Sequence, residues 1–263
     1  AALRALFREL EFESLLDRMD IDGAADDEDD EATEDPALAF DFGPYEEVQE
    51  LDPDAVDYDV VQNEEELRAF ADTLDTHDRY AFDAETTSTD PMYASLVGLS
   101  FSWAEQQGVY VPTPLPDGTD TDAVLEVLGP HLAADTTKVG HNLKYDLLVL
   151  RRHGVEVGGP LVDTMVGHYL VAPEENHNLD DVARSVLNYK MVPITDLLGD
   201  GDDKSMRDVA VADAAPYACE DADIALRLAD ALEEQLEEDK LLEIAEDMEF
   251  PLVRVLAEME HVG

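Results

Sequence analysis

Apolar residues recur at helical spacing over residues 64–74, which predicts an amphipathic helix. Three short apolar runs follow with their punctuation, at 80–85, 96–103 and 108–112, and read as an antiparallel meander. A helix over 121–134 leads to a short strand at 138–140, then to a helix that begins near Asn142 and ends at His153-Gly154. Residues 162–171, 179–187 and 214–238 read mainly as helices. Pro193, Gly199 and Gly201 break the stretch between the last two, leaving a loop over 191–203 that is placed to edge a cleft. A helical pattern from Leu241 meets Pro251, which should kink it or separate two helices. Alternating helices and strands imply an α/β layer fold, and no internal repeat is apparent.

The ends differ from this middle. Leu3, Leu6, Phe7, Leu10, Leu15 and Leu16 fall mainly on one face of a helix, which needs a partner surface. From Asp20 to about Pro53 the chain is rich in Asp, Glu, Ala and Pro and lacks the apolar content to fold alone, so it reads as an acidic linker. The start without Met, and the break in mid-pattern at Val262-Gly263, are those expected of a fragment.

Charge narrows the setting. Against 16 Lys+Arg stand 65 Asp+Glu, a formal net charge of −49 that is opposite to the balance of an isolated nucleic-acid-binding module. The carboxylates are spread through segments with clear hydrophobic periodicity, and only the run around Asp26 to Asp35 is dense enough to be a tail. A folded protein of a salt-rich cell is therefore favoured over an acidic interaction protein. Cys219 is the single cysteine, so an intrachain disulfide is impossible. No run approaches the ~18 apolar residues of a membrane span, and the first residues lack the order of a secretory signal, so a cytoplasmic setting is expected.

Three acidic clusters are candidates for chemistry. In Phe82-Asp83-Ala84-Glu85, two carboxylates at i and i+2 on a strand point to one face, where they repel unless protons or metal ions compensate. In so acidic a chain a solvated pair is an equal reading. Asp146, in Asn142-Leu143-Lys144-Tyr145-Asp146, falls in the first turn of a helix, where interaction with the macrodipole would account for it alone. In Tyr217-Ala218-Cys219-Glu220-Asp221-Ala222-Asp223, Tyr217 and Asp221 share a helix face, while Glu220 and Asp223 have other angular positions and read as solvent-facing.

In this order and these contexts, the D-x-E, N-x-x-x-D and Y-x-x-x-D motifs resemble the three exonuclease motifs of family A DNA polymerases, the bacterial DNA polymerase I type, in the DEDDy branch of DnaQ-like exonucleases. The resemblance covers about residues 59–238 and extends to residues 96–101, 162–165 and 177–180. Residues 3–16 resemble the last helix of a preceding 5′ nuclease domain, and residues 249–260 the entry into a polymerase domain. The implied organisation is the end of a 5′ nuclease domain at 1–19, an acidic linker at 20–57, a 3′-5′ exonuclease domain at 58–240 and the start of a polymerase domain at 241–263. The implied fold is a ribonuclease H-like mixed α/β sheet flanked by helices, with helical terminal extensions.

The resemblance also implies a reaction: release of nucleoside 5′-monophosphates from single-stranded or frayed DNA 3′ ends, for proofreading. Four carboxylates with no Cys or His cluster suit two hard dications, Mg²⁺ or Mn²⁺. By resemblance Asp83 bridges both ions, Glu85 and Asp221 complete the site that activates water, Asp146 helps hold the second ion, and Tyr217 orients the water with Glu85. Thr86, Thr89, His141, Asn142 and Ile194 are the candidates for holding the substrate, although Asn142 equally suits a helix cap. Thr89 stands where the family usually has Leu, and Ile194 where it has an apolar or aromatic platform. The implied partners are a DNA 3′ end and the polymerase and 5′ nuclease domains of one longer chain, which acts as a monomer away from membranes. The alternatives are a silent exonuclease-fold spacer or docking module, an RNA 3′-end exonuclease and an acidic binding protein.

Overall fold

The computed structural model describes residues 48–198 and 205–263. The apolar helix expected at 3–19, most of the acidic linker and the end of the 191–203 loop lie outside these residues. Strands β1 (Gln49–Glu50) and β2 (Asp57–Val60) precede helix α1 (Glu64–Leu74), which Asn63 caps by accepting from the Glu66 amide at 3.0 Å. Strand β1 falls within the stretch expected as linker, and β2 starts at its last residue without having been expected as a strand. Their brevity, and the acidic residues of β2, conceal a strand pattern.

The meander follows as β3 (Arg79–Thr86), β4 (Leu96–Ser102) and β5 (Gln107–Pro112), antiparallel as expected. Helix α2 (Thr121–Leu132), strand β6 (Thr137–Gly140) and helix α3 (Leu143–Arg152) also match the pattern to within a few residues. The segment expected as one helix from 162 is instead strand β7 (Leu161–Asp163) followed by α4 (Thr164–Val171). Leu161 and Val162 pair with Lys138 and Val139, and a strand this short leaves no periodicity to read.

Helix α5 (Leu179–Val186) and strand β8 (Tyr189–Lys190) lead into the expected loop, which contains a short helix, α6 (Ile194–Leu198). After a 3₁₀ turn (Met206–Asp208) comes the long helix α7 (Val211–Glu238). The chain closes with α8 (Leu242–Ile244), a π turn (Ala245–Glu249) and α9 (Phe250–Val262). Pro251 is the second residue of α9, where its missing N–H denies a bond to the preceding helical turn, and the interruption takes the form of the π turn just before it.

Six strands form one sheet in the order β2-β5-β4-β3-β6-β7, with β4 alone running against the others; β1 and β8 form a separate parallel pair. Central β3 is buried on both faces. Tyr80, Phe82 and Ala84 join a core with residues of α1, α2, α3 and α9, while Ala81 packs against Ala225 and Ala229 of α7. Helix α9 also docks on α3 through Lys144–Glu260 at 2.6 Å and Arg151–Glu258. Among the described residues no helix is long and apolar enough to cross a membrane.

Close approach of α7 to the sheet depends on Gly108. A Cβ there would lie 2.8 Å from Cys219 Cβ, an atom fixed to the helix backbone. Gly108→Ala is therefore expected to lower stability by about 1–3 kcal/mol, as overpacking does, measured by urea unfolding; an unchanged midpoint would show that α7 has room to move.

Candidate active site

Strand parity places the first two carboxylates. Asp83 and Glu85 share the β3 face of Ala81, the face that α7 covers, opposite to Phe82 and Ala84. Helix α7 brings Asp221 over that face. Asp83, Glu85 and Asp221 each offer one oxygen such that all lie within 4.8 Å of one another. Glu85 and Asp221 are buried, and Glu85 Oε1 has no hydrogen-bond partner. Ser100, directly across from Asp83 on β4, likewise has a buried hydroxyl without a partner.

Burial dominates the electrostatics of this group. It pushes the Asp83 carboxyl up to about 6, against a lowering by the Ala84 amide. Glu85 and Asp221 are held well above the usual carboxylate range, first by burial and then by the charge of Asp83. Tyr217 is raised above an ordinary phenol by burial and by Asp221, Glu85 and Asp83, so its hydroxyl stays protonated. The arrangement holds negative charge at close quarters with little to offset it.

Asp146 arrives from the other side. Strand β6 pairs with β3 only as far as Ala81↔Val139, so the β3 backbone beyond is uncovered on that edge. Helix α3 follows β6 directly, and Asp146 Oδ1 accepts from the Ala84 amide at 3.1 Å. Its buried carboxyl is raised by burial and by the charge of Asp83, which marks its proximity to the group without membership of the 4.8 Å cluster. A solvent-side macrodipole role does not fit a residue only 2% exposed.

The helix cap expected of Asn142 is not made by its side chain. Asn142 lies in the left-handed region (φ 60°), and Asp163 supplies the acceptor: Oδ1 to the Asn142 amide at 3.1 Å and Oδ2 to the Leu143 amide at 2.8 Å. Asp163 also caps α4 through Met165 and Val166, so one buried carboxylate fixes two helix N-termini and with them the approach of Asp146. The Asp-Thr pair at a strand-to-helix junction was the available signal for this cap.

A cleft of about 390 Å³ opens beside Glu85. Thr86, Thr89, Asn142 and Ile194 line it together with Tyr145, Leu198 and Met206. Tyr145 lies 2.5 Å from Thr86 Oγ1 and also donates to the Ser88 carbonyl, which braces the loop after β3. His141 is not among the lining residues. Its Nε2 donates to the His177 carbonyl at 2.8 Å and its Nδ1 lies 2.9 Å from Thr164 Oγ1; burial pushes its pKa down to about 4. These bonds tie it to the start of α4 and to the segment that carries His177.

Glu220 and Asp223 overturn the solvent-facing expectation. Glu220 is 0% exposed and accepts from Tyr189 Oη at 2.8 Å and the Val192 amide at 2.9 Å. Asp223 is 2% exposed and accepts from Tyr58 Oη at 2.9 Å and the Gln106 amide at 3.0 Å. Helix α7 packs against strands, α4 and α5 along much of its length, so angular position along it does not separate core from solvent.

The sequence profile described as 3′-5′ exonuclease matches residues 58–237. The chain belongs to the 3′-5′ exonuclease family. DNA polymerase I of Pseudomonas aeruginosa is 36% identical over 273 residues, covering 100% of this chain and 28% of that protein. DNA polymerase I of Synechocystis is 33% identical over 230 residues, covering 80% of this chain and 22% of that protein. The chain thus spans about a quarter of the length of these relatives. Among solved structures, Pol1 of M. smegmatis aligns with a TM-score of 0.60 at 26% identity, over 78% of this chain and 32% of that one. Brucella melitensis NrnC aligns with a TM-score of 0.60 at 19% identity, over 80% and 94%, and shares the fold. The mixed sheet of this exonuclease domain, flanked by helices, is thus the ribonuclease H-like arrangement that the motifs implied.

Proposed function

We propose that this exonuclease domain removes nucleoside 5′-monophosphates from single-stranded or frayed DNA 3′ ends, as the proofreading part of a longer DNA polymerase I-like chain. The observation that carries the reading is the convergence of Asp83, Glu85 and Asp221 within 4.8 Å on the α7 face of β3. Family membership and relatives named DNA polymerase I support it.

The residues fit divalent metal. An all-oxygen donor set is that of Mg²⁺ or Mn²⁺, and the unpartnered buried Glu85 Oε1 is an acceptor that a cation would satisfy. Two ions are proposed: Asp83, Glu85 and Asp221 would hold one, and Asp83 with Asp146 the second. Bound dications supply activation of water and offset charge on the attacking and leaving oxygens. Tyr217, kept protonated by burial and by its acidic neighbours, donates a hydrogen bond that orients the attacking water together with Glu85. Thr86, Thr89, Asn142 and Ile194 hold the terminal nucleotides along the cleft. A mismatched end is already unpaired and so costs less to deliver there. The exposed apolar residues Leu252, Val255, Leu256, Met259 and Val262 of α9 suit packing against a polymerase domain in the same chain.

Charge adds a prediction. At low ionic strength a net charge of −49 repels DNA, whereas at ~1 M salt the Debye length of about 3 Å screens that repulsion. Release of mononucleotides from matched DNA and RNA oligonucleotides, measured with Mg²⁺ across KCl concentrations, is expected to favour DNA and to rise into the molar range. An RNA preference would replace the substrate assignment. A maximum below ~0.1 M would remove the salt-adapted reading of the surface.

A further inference from the structure

The buried Glu220 has a place in the fold that its neighbour Asp221 does not explain. Burying a carboxylate is costly unless its oxygens are satisfied, and here both are used, each on a different partner: Oε1 accepts from Tyr189 Oη at 2.8 Å and Oε2 from the Val192 amide at 2.9 Å. Tyr189 is itself held, since β8 pairs with β1 and the Arg227 guanidinium lies 5.1 Å from its ring centroid. Val192 is two residues before α6, whose Ile194 and Leu198 form one wall of the cleft. Helix α6 buries none of its own residues fully; Leu197 and Leu198 pack part-buried near Ala214, Ala215 and Ala218 of α7, and the Val192 bond adds a fixed anchor just before its first turn.

We infer that Glu220 is a positioning residue, which ties the α6 wall that grips the 3′ end to the helix that presents Asp221. This rests on the exonuclease reading for what the wall grips, but the tether itself does not. One peptide step separates the anchor of the wall from a carboxylate of the acidic cluster, so both keep a fixed relation along α7. Loss of the anchor loosens the wall, which then rests on the Leu197 and Leu198 packing alone, and leaves the cluster in place, which predicts a defect in substrate capture rather than in the chemical step.

The test combines steady-state kinetics on a single-stranded oligodeoxynucleotide with hydrogen–deuterium exchange, using the whole chain. Glu220→Ala is expected to raise KM by about 10-fold or more, the loss of hydrogen bonds to a charged group, with kcat within about 2-fold. Deuterium uptake is expected to quicken across 191–198 and to stay at the wild-type rate in 211–238. Glu220→Gln, whose carbonyl accepts from Val192 and whose amide donates to Tyr189 Oη, should restore KM to within about 3-fold of wild type. Tyr189→Phe keeps the Val192 bond while leaving Glu220 Oε1 without its donor, and should shift KM and local uptake in the same direction by less. A fall in kcat at unchanged KM would overturn the inference. So would unchanged uptake at 191–198 in both Glu220→Ala and Tyr189→Phe, or an equal increase along α7, which is the signature of a residue that merely holds the fold. Local uptake changes in a chain that shows no nuclease activity would support the tether and sink the proposed reaction instead.

Discussion

Asp83→Ala releases mononucleotides from a single-stranded 3′ end slower than wild type by on the order of 10³-fold or more, the expected loss when several kcal/mol of metal-assisted stabilisation is removed. Asp83 is the residue on which the acidic group converges: it shares the 4.8 Å cluster with Glu85 and Asp221, and its charge is felt by Asp146 as well. Asp221→Ala should fall almost as far, because it removes another oxygen of the same cluster. The same substitutions are expected to raise the melting temperature of the metal-free protein, since each removes one of several like charges from a buried site. Opposite signs for activity and stability separate this account from a simple loss of fold, which lowers both. Wild-type activity in both variants, with unchanged stability, would assign the carboxylates to a silent or binding role.

Metal should stabilise the protein strongly at pH 8 and weakly at pH 5. Asp83 has a folded-state pKa of about 6, raised by burial, and Glu85, Asp146 and Asp221 are raised in the same direction. A raised carboxyl contributes stability that is fully present below its unfolded pKa of about 4 and is lost as pH rises through the folded value. For Asp83 that window runs from about 4 to about 6, and the other three extend it upward. The metal-free protein therefore weakens across this range, while the ionised carboxylates that weaken it become ligands. Melting curves in Mg²⁺ and in chelator, taken at both pH values and constant ionic strength, should diverge as pH rises. In Asp83→Asn/Asp221→Asn the divergence should collapse, which separates the site from the remaining acidic surface. A metal effect of equal size at both pH values would count against a buried carboxylate site.

Much of this site was legible because it depends on short-range periodicity. The i, i+2 relation put Asp83 and Glu85 on one face, and the i, i+4 relation tied Tyr217 to Asp221 before any tertiary contact was known. The meander and α1 to α3 were legible for the same reason: their apolar positions repeat over enough residues to show a period. Features set by tertiary contact were not. Glu220 and Asp223 look like a solvated face until α7 is seen wrapped by strands and helices, and their partners Tyr189, Tyr58 and Gln106 are distant in sequence. Asp146 could be read as a helix-terminus charge because the uncovered Ala84 amide exists only where β6 ends short of β3. Asp163 displaced Asn142 as the cap by reaching across from β7, and β7 itself was hidden in what reads as the start of a helix. His141 sits beside a site residue in sequence, yet its ring turns to Thr164 and the His177 carbonyl.

Asp83, Glu85, Asp146 and Asp221 are proposed to serve metal-dependent removal of nucleotides from a 3′ end. The most direct measurement is a time course on a single-stranded DNA labelled at its 3′ nucleotide, with Mg²⁺ or Mn²⁺ at several salt concentrations. The label is expected to leave first, as a nucleoside 5′-monophosphate, and chelator to stop the reaction. No release at any salt with metal present, or release that continues in chelator, would contradict it.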